Sequence, residues 1–302
     1  MNKLHHIIEA QQFERIWLEQ ELFPLAREME KIAEQGGASI IPGKKMITLF
    51  YEPSTRTRAS FEIAMDMIGG KVVFSTENAG QFSSAVKGET IEDTMRVLSN
   101  YRPDVIVLRS DEEGMAKRAA AFSSVPIINA GDGTGQHPTQ ALTDVFTIWK
   151  RLGRIDNLSI AIVGDLARGR TSHSLAYLLG KFSGTKIYFV SPESAKVPDD
   201  IKNYLKRHEI WFAEENDLKI VAPKVDVIYQ TRNQKERGTL SDAYIIDKKI
   251  LDLMDKNAVI MHPLPRNEEI SIEVDKDPRA VYFKQAENGL YIRMALLKMI
   301  LA

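Results

Sequence analysis

The chain has 302 residues, 44% of them hydrophobic and 27% charged, with 40 Lys and Arg against 41 Asp and Glu. That near-balance produces no overall field to attract nucleic acid or an anionic membrane, so any basic chemistry has to be local. The absence of cysteine excludes a catalytic thiol, a disulfide framework and a thiolate zinc site, and agrees with a reducing compartment. No stretch approaches about 18 consecutive apolar residues, and the opening MNKLHHIIEAQQFERIW is charged and amphipathic, so a cytoplasmic protein without membrane or nucleic-acid partners is expected.

Short β-branched runs then alternate with helical patterns. MITLF, KVVFS, DVIVLR and VPIINA come first, and LSIAIVG, KIYFV, DVIYQ and AVIMH follow. Each run is too short for a helix, and the segments between them are long enough for crossover helices. The pattern predicts an α/β chain of two doubly wound domains, each with a central parallel β-sheet flanked by helices. HPTQALTDVFTIWKRLGRIDN separates the two sets, so the boundary is expected near 136/137, with a connector helix over about 137–152. The final AENGLYIRMALLKMILA is an amphipathic helix that suits either domain.

The stretch YEPSTRTRAS follows the first run directly. Pro53 disfavours helical geometry at Glu52 and suits a helix start, so the chain should turn from strand into helix near Ser54. The amides and hydroxyls of Ser54, Thr55 and Thr57, with the fork of Arg56, then form a dense donor set that suits a phosphate. A Ser cap with a solvated basic first turn explains the local residues equally well. Cations are disfavoured at a helix N-terminus, however, which favours a compensating anion. Arg58 points elsewhere on the helix and is expected in a structural ion pair.

Ligands of parallel sheets bind beyond the carboxyl ends of strands, so the residues after each run carry the next expectations. DVIVLR ends in Arg109, and VPIINAGDGTGQHPTQ passes through a glycine-rich loop to His137 and Pro138. At a helix N-terminus His137 is expected neutral and able to donate to a carbonyl, with Gln140 on its face. VGDLARGRTSHSL invites a dinucleotide reading, but its glycines do not make GxGxxG and the next strand ends at Ser191, where an acidic ribose partner is wanted. Arg170 instead begins a helix, again a cation at a positive end. Arg232 and Gln234 follow DVIYQ, and the prolines of HPLPR leave free carbonyl acceptors.

Taken together, these segments resemble the aspartate/ornithine carbamoyltransferase superfamily. STRTRASFE, KGETIEDT, the strand-end Arg109, GDGTGQHPTQALTD, VGDLARGRTSHSL, TRNQKER, HPLPR and QAENGLYIRMALL recur in order over nearly the whole chain. The resemblance implies a carbamoyl-phosphate domain of residues 1–136 plus 285–302 and an aspartate domain of 137–284, in a homotrimer with shared active sites. It implies transfer of a carbamoyl group from carbamoyl phosphate to L-aspartate, in de novo pyrimidine biosynthesis, without cofactor or metal. It also leaves room for a regulatory chain or a partner enzyme of the same pathway.

By the same resemblance Ser54, Thr55, Arg56, Thr57 and Arg109 hold the phosphate. Thr57, Arg109 and His137 polarise the carbamoyl carbonyl, with Arg56 counted among the catalytic groups. Gln140 and the carbonyls of Pro263 and Leu264 receive the carbamoyl amino group. Arg170, Arg232 and Gln234 take the aspartate carboxylates, and Ser83 and Lys87 reach the site of a neighbouring subunit, where Lys87 also counts among the aspartate-binding residues. The resemblance further implies closure of the domains and of the 232–240 loop. Acceptor choice rests on Arg232, which repels the cationic tail of ornithine, and on Pro263 standing where the ornithine enzymes carry cysteine. Ala167 departs from the lysine of GDLKYG in some aspartate enzymes, which removes any ion pair that lysine makes. A non-catalytic binding protein that keeps this fold is the rival from another class.

Overall fold

A computed structural model describes residues 4–232 and 244–302, apart from the side chain of Phe82. By its contacts the chain divides into two compact units, Met1–Leu142 with Asn288–Ala302, and Thr143–Glu287. The division falls inside the connector helix Pro138–Leu152, and not at its first residue.

In the first unit the apolar runs become β1 (Lys45–Phe50), β2 (Lys71–Thr76), β3 (Val105–Ser110) and β4 (Ile127–Asp132). They are all parallel, in the order β2-β1-β3-β4. Every residue of β3 and β4 is buried, as expected of strands covered on both faces. Alternation then sends Ile47, Leu49, Ile106, Leu108 and Ile127 into one core, against Ile91 and Met95 of helix Ile91–Asn100 and Ala116 and Ala119 of helix Met115–Phe122. β2 lies on the edge and stays largely exposed.

The free edge of β4 is covered by the N-terminal segment. Ile7 donates to Ile127 O at 2.9 Å and accepts from Asn129 N at 2.7 Å, while Ile127 N donates to His6 Nδ1 at 3.0 Å. Burial, helped by the neighbouring His5, pushes the His6 imidazole down from 6.5 to about 4. The unfolded chain therefore takes up a proton at a pH where the folded chain refuses it. Stability is expected to fall as pH drops from about 6.5 to about 4 and to level off below, and His6→Asn should flatten that component of a melting-temperature profile.

The second unit holds β5 (Ser159–Val163), β6 (Lys186–Val190), β7 (Trp211–Glu215), β8 (Val227–Gln230) and β9 (Val259–Met261), all parallel, in the order β7-β6-β5-β8-β9. Four strands are expected here from the sequence, and the fifth is β7. Its WFAEE lies on the sheet edge with Trp211 and Glu214 exposed, so it lacks the continuous apolar run that marks the others. Ala161, Val163, Val190, Ile228 and Ile260 form the core of this unit with Leu218, Val221, Tyr244, Ile246 and Tyr282. Helix Tyr282–Leu301 begins in that core, and its later turns belong to the first unit, where Arg293 lies over the Phe61 ring at 5.1 Å. Among the described residues no helix is long and apolar enough to cross a membrane.

Candidate active site

Each sheet reverses its strand order beside its first strand: the chain moves from β1 to β2, then returns to place β3 on the other side of β1. The second sheet does the same around β5, with β6 on one side and β8 on the other. Such reversals open a crevice beyond the carboxyl ends of the two diverging strands, where ligands of open α/β sheets bind. Ser54, Thr55, Arg56, Thr57 and Arg109 stand at the first of these places and Arg170 and Arg232 at the second, while His137 follows β4 and Pro263 and Leu264 follow β9.

At the first reversal, Phe50 of β1 is in register with Arg109 of β3, which sets Arg109 beside the turn 51–54. Helix Thr55–Met67 starts immediately after Ser54. Ser54 holds the cap position but makes no side-chain capping bond, so its hydroxyl is not consumed by the helix. Its backbone N–H donates to Glu77 Oε1 at 2.6 Å, which anchors the turn. Arg58 pairs with Glu77 at 3.5 Å and Glu62 at 4.0 Å, as expected of a structural arginine. Arg56, two residues earlier, has no carboxylate partner among the described residues. Although the residue as a whole is exposed, local desolvation of its guanidinium lowers its pKa from the ordinary value. A partly desolvated cation, three hydroxyls and the first amides of a helix are donor types that suit an anion.

Arg109 is buried and held on two sides, its Nη1 donating to Ala130 O at 3.1 Å and its Nε lying 3.3 Å from Glu52. β4 leads into the 133–136 loop, which Asp132 at the strand end folds by accepting from Gln136 N at 2.8 Å and Gly114 N at 3.2 Å. The loop delivers His137, buried to 4% exposure, to the start of helix Pro138–Leu152. The His137 carbonyl accepts from Gln140 N and Ala141 N, which is the N-cap role predicted for it. Ser83 lies elsewhere in this unit and spends its hydroxyl locally, donating to Ala79 O and accepting from Ala85 N. Lys87 is exposed and forms no ion pair among the described residues.

At the second reversal, Gly164 follows β5 at φ 127°, a backbone region that side chains rarely adopt. A Cβ there would stand 2.3 Å from Thr231 Oγ1, which itself donates to Val163 O at 2.8 Å. Gly164→Ala is therefore expected to cost about 2 kcal/mol or more of stability, seen as a lower melting temperature, and to disturb Arg170 and Arg232 together. Arg170 opens helix Arg170–Leu179 directly beyond the loop from β5, and Arg232 stands two residues beyond β8, the adjacent strand. His173 fixes the loop by a 2.7 Å contact between its Nε2 and Leu166 O. Gln234 lies outside the described residues.

β9 runs into His262, Pro263, Leu264, Pro265 and Arg266. Leu264 takes the left-handed region at φ 56°, uncommon for a leucine. Its N–H donates to His262 Nδ1 at 2.8 Å, while His262 Nε2 meets Glu269 at 3.0 Å. That bond pattern makes Nδ1 the acceptor and Nε2–H the donor. Burial alone would raise the Glu269 carboxyl, but its bond to His262 and backbone donors hold it below the usual range. Arg266 is taken up by Asp275, Tyr282 and the Phe283 ring, leaving the backbone near Pro263 and Leu264 as the presentable groups.

Sequence reasoning passes over Glu52, Glu77, Asp132 and Glu269. These carboxylates hold the turns that carry the functional groups; for Glu52, Glu77 and Asp132 the only sequence signal is an acid at or just past a strand end, and Glu269, eight residues beyond β9, has none.

Comparison with known proteins agrees over the whole length. A family model described as aspartate/ornithine carbamoyltransferase, carbamoyl-P binding domain, matches residues 5–150, and the Asp/Orn binding domain of the same family matches residues 156–300. The chloroplastic aspartate carbamoyltransferase of Oryza sativa subsp. japonica is 57% identical, covering 99% of this chain and 85% of its own. Aspartate transcarbamoylase of Trypanosoma cruzi, solved with carbamoyl phosphate and aspartate, superposes with a TM-score of 0.92 at 37% identity, covering 99% of this chain and 96% of its own. The same enzyme solved with N-(phosphonacetyl)-L-aspartic acid is similar to this chain to the same extent.

Proposed function

The chain belongs to the aspartate/ornithine carbamoyltransferase family, and on that premise we propose how its two anion sites divide one reaction. The reaction is transfer of the carbamoyl group of carbamoyl phosphate to the amine of L-aspartate, giving N-carbamoyl-L-aspartate and phosphate, a step of pyrimidine synthesis. The observation that carries this reading is the placement of arginines at both reversals of strand order, one set for each anionic substrate.

Ser54, Thr55, Arg56, Thr57 and Arg109 bind the phosphate. Thr57, Arg109 and His137 donate to the carbamoyl oxygen, which gains negative charge as the amine adds, so these bonds strengthen toward the transition state. Gln140 and the carbonyls of Pro263 and Leu264 accept from the carbamoyl NH₂. Arg170, Arg232 and Gln234 receive the two carboxylates of aspartate, where planar forks match carboxylates better than ammonium groups do. The uncharged amine attacks, a C–N bond forms, the C–O bond to phosphate breaks, and the departing phosphate takes up the amine proton. Two anions repel each other, so the arginines act first by holding the substrates together, and fixed proximity of this kind can supply about 7–11 kcal/mol of the barrier.

We further propose a homotrimer in which Ser83 and Lys87 serve the neighbouring site. Its support is the exposed apolar surface at the open edge of β2, where Val73, Phe74 and Tyr101 line one concave patch with Leu98. Sedimentation equilibrium should give three times the chain mass, and a monomer would remove the shared site. A cytoplasmic location is proposed on the cysteine-free composition and is tested by fractionation of the source cell. For the reaction itself, purified chain should release phosphate from carbamoyl phosphate with L-aspartate and not with L-ornithine. Release with ornithine alone would reverse the acceptor assignment.

A further inference from the structure

Behind the second anion site a buried carboxylate ties several elements together without facing solvent. Asp144, on helix Pro138–Leu152, is fully buried. Its Oδ2 accepts from Tyr229 Oη of β8 at 2.8 Å, and its Oδ1 accepts from Gln285 Nε2 of helix Tyr282–Leu301 at 2.7 Å. Gln285 Oε1 in turn accepts from His262 N at 2.9 Å, and His262 Nδ1 accepts from Leu264 N at 2.8 Å. On the other branch Tyr229 belongs to β8, three residues before Arg232, and is in register with Ile162 of β5. Every residue in this chain of bonds belongs to the second unit.

Burying a carboxylate is costly, and an apolar side chain of similar size would fill the position more cheaply. What the carboxylate supplies is directional: two acceptor atoms fix two donors from different elements. One branch ends on the loop that presents the carbonyls of Pro263 and Leu264, and the other ends on β8, the strand that leads to Arg232. We propose that Asp144 is a positioning residue for carbamoyl transfer, holding the acceptors for the carbamoyl amino group and the strand that delivers Arg232 in a common register through Gln285 and Tyr229. The inference rests on the reaction assigned above and adds residues that touch neither substrate.

The bond pattern supplies its own test. In Asp144→Asn one side-chain donor meets an N–H or O–H that needs an acceptor, whereas adding Gln285→Glu restores the bonds to Tyr229, to residue 285 and to His262 N. The introduced amide then accepts from Tyr229 and donates to the introduced carboxylate, whose second oxygen accepts from His262 N. D144N is expected to lower kcat/KM for aspartate about tenfold or more. D144N/Q285E should recover to within about threefold of the parent. Inorganic phosphate should bind all three proteins equally, since its site lies in the other unit, and N-(phosphonacetyl)-L-aspartate affinity should fall and recover with kcat/KM. If D144N does not fold, Tyr229→Phe keeps the ring and the carboxylate and should raise KM for aspartate several-fold at nearly unchanged melting temperature. Unchanged kinetics in D144N or Y229F, or a double variant no better than D144N, would overturn the proposal, as would a drop in melting temperature with parental kcat and KM. If the parent chain does not turn over aspartate, the reaction assignment falls, and the titrations with the phosphonacetyl compound still decide this one.

Discussion

Arg56→Ala is expected to lower kcat/KM for carbamoyl phosphate by about 10²–10³, or roughly 3–4 kcal/mol, with little change in melting temperature. The basis is the contrast between two arginines on one turn of helix. Arg58 is engaged by Glu62 and Glu77, so Arg58→Ala should reduce stability by about 1 kcal/mol or less and affect turnover only through the turn it braces. Arg56 has no such carboxylate among the described residues and stands at the positive end of helix Thr55–Met67. An arginine there makes physical sense as half of a pair whose other half is a ligand. Steady-state kinetics and thermal melts of both variants separate the two roles, and equal losses of turnover would contradict the assignment.

Arg232→Ala is expected to raise KM for aspartate about 100-fold while leaving phosphate affinity unchanged. A bidentate guanidinium–carboxylate pair makes two charge-assisted bonds worth roughly 1.5–3 kcal/mol each, and alanine removes both. Arg232→Lys should recover only part of the loss, because a point charge does not reproduce the fork. The sequence places Arg232 just past β8, and β8 pairs directly with β5, whose following loop delivers Arg170. The two cations thus come from adjacent strand ends although they are far apart along the chain. An unaltered aspartate response in Arg232→Ala would remove that residue from the site.

Much of this is legible in the sequence alone. Buried parallel strands such as VIVLR and SIAIV announce themselves because both faces are covered and the apolar run is continuous. Pro53 and Pro138 mark where strand-end loops become helices, and the structure starts helices at Thr55 and Pro138. Edge strand β7 is not legible, because an edge needs only one covered face and WFAEE reads as a polar segment with one aromatic end. The bonds that stiffen the site are not legible either. Glu77 acts on Ser54 across 23 positions, and Gln285 acts on Asp144 across 141, and such partners are chosen by strand order and register, which no local pattern encodes. The same holds for the register of Phe50 with Arg109, which turns a strand-end arginine into a neighbour of the phosphate turn.

The central claim is that the two anion sites serve one pair of substrates at once. Titration of the chain with N-(phosphonacetyl)-L-aspartate tests it most directly, because that compound carries the phosphonate and both carboxylates on one frame. The account predicts binding orders of magnitude tighter than that of inorganic phosphate, weakened strongly and separately by Arg56→Ala and by Arg232→Ala. Binding no tighter than phosphate, or insensitive to Arg232→Ala, would contradict it.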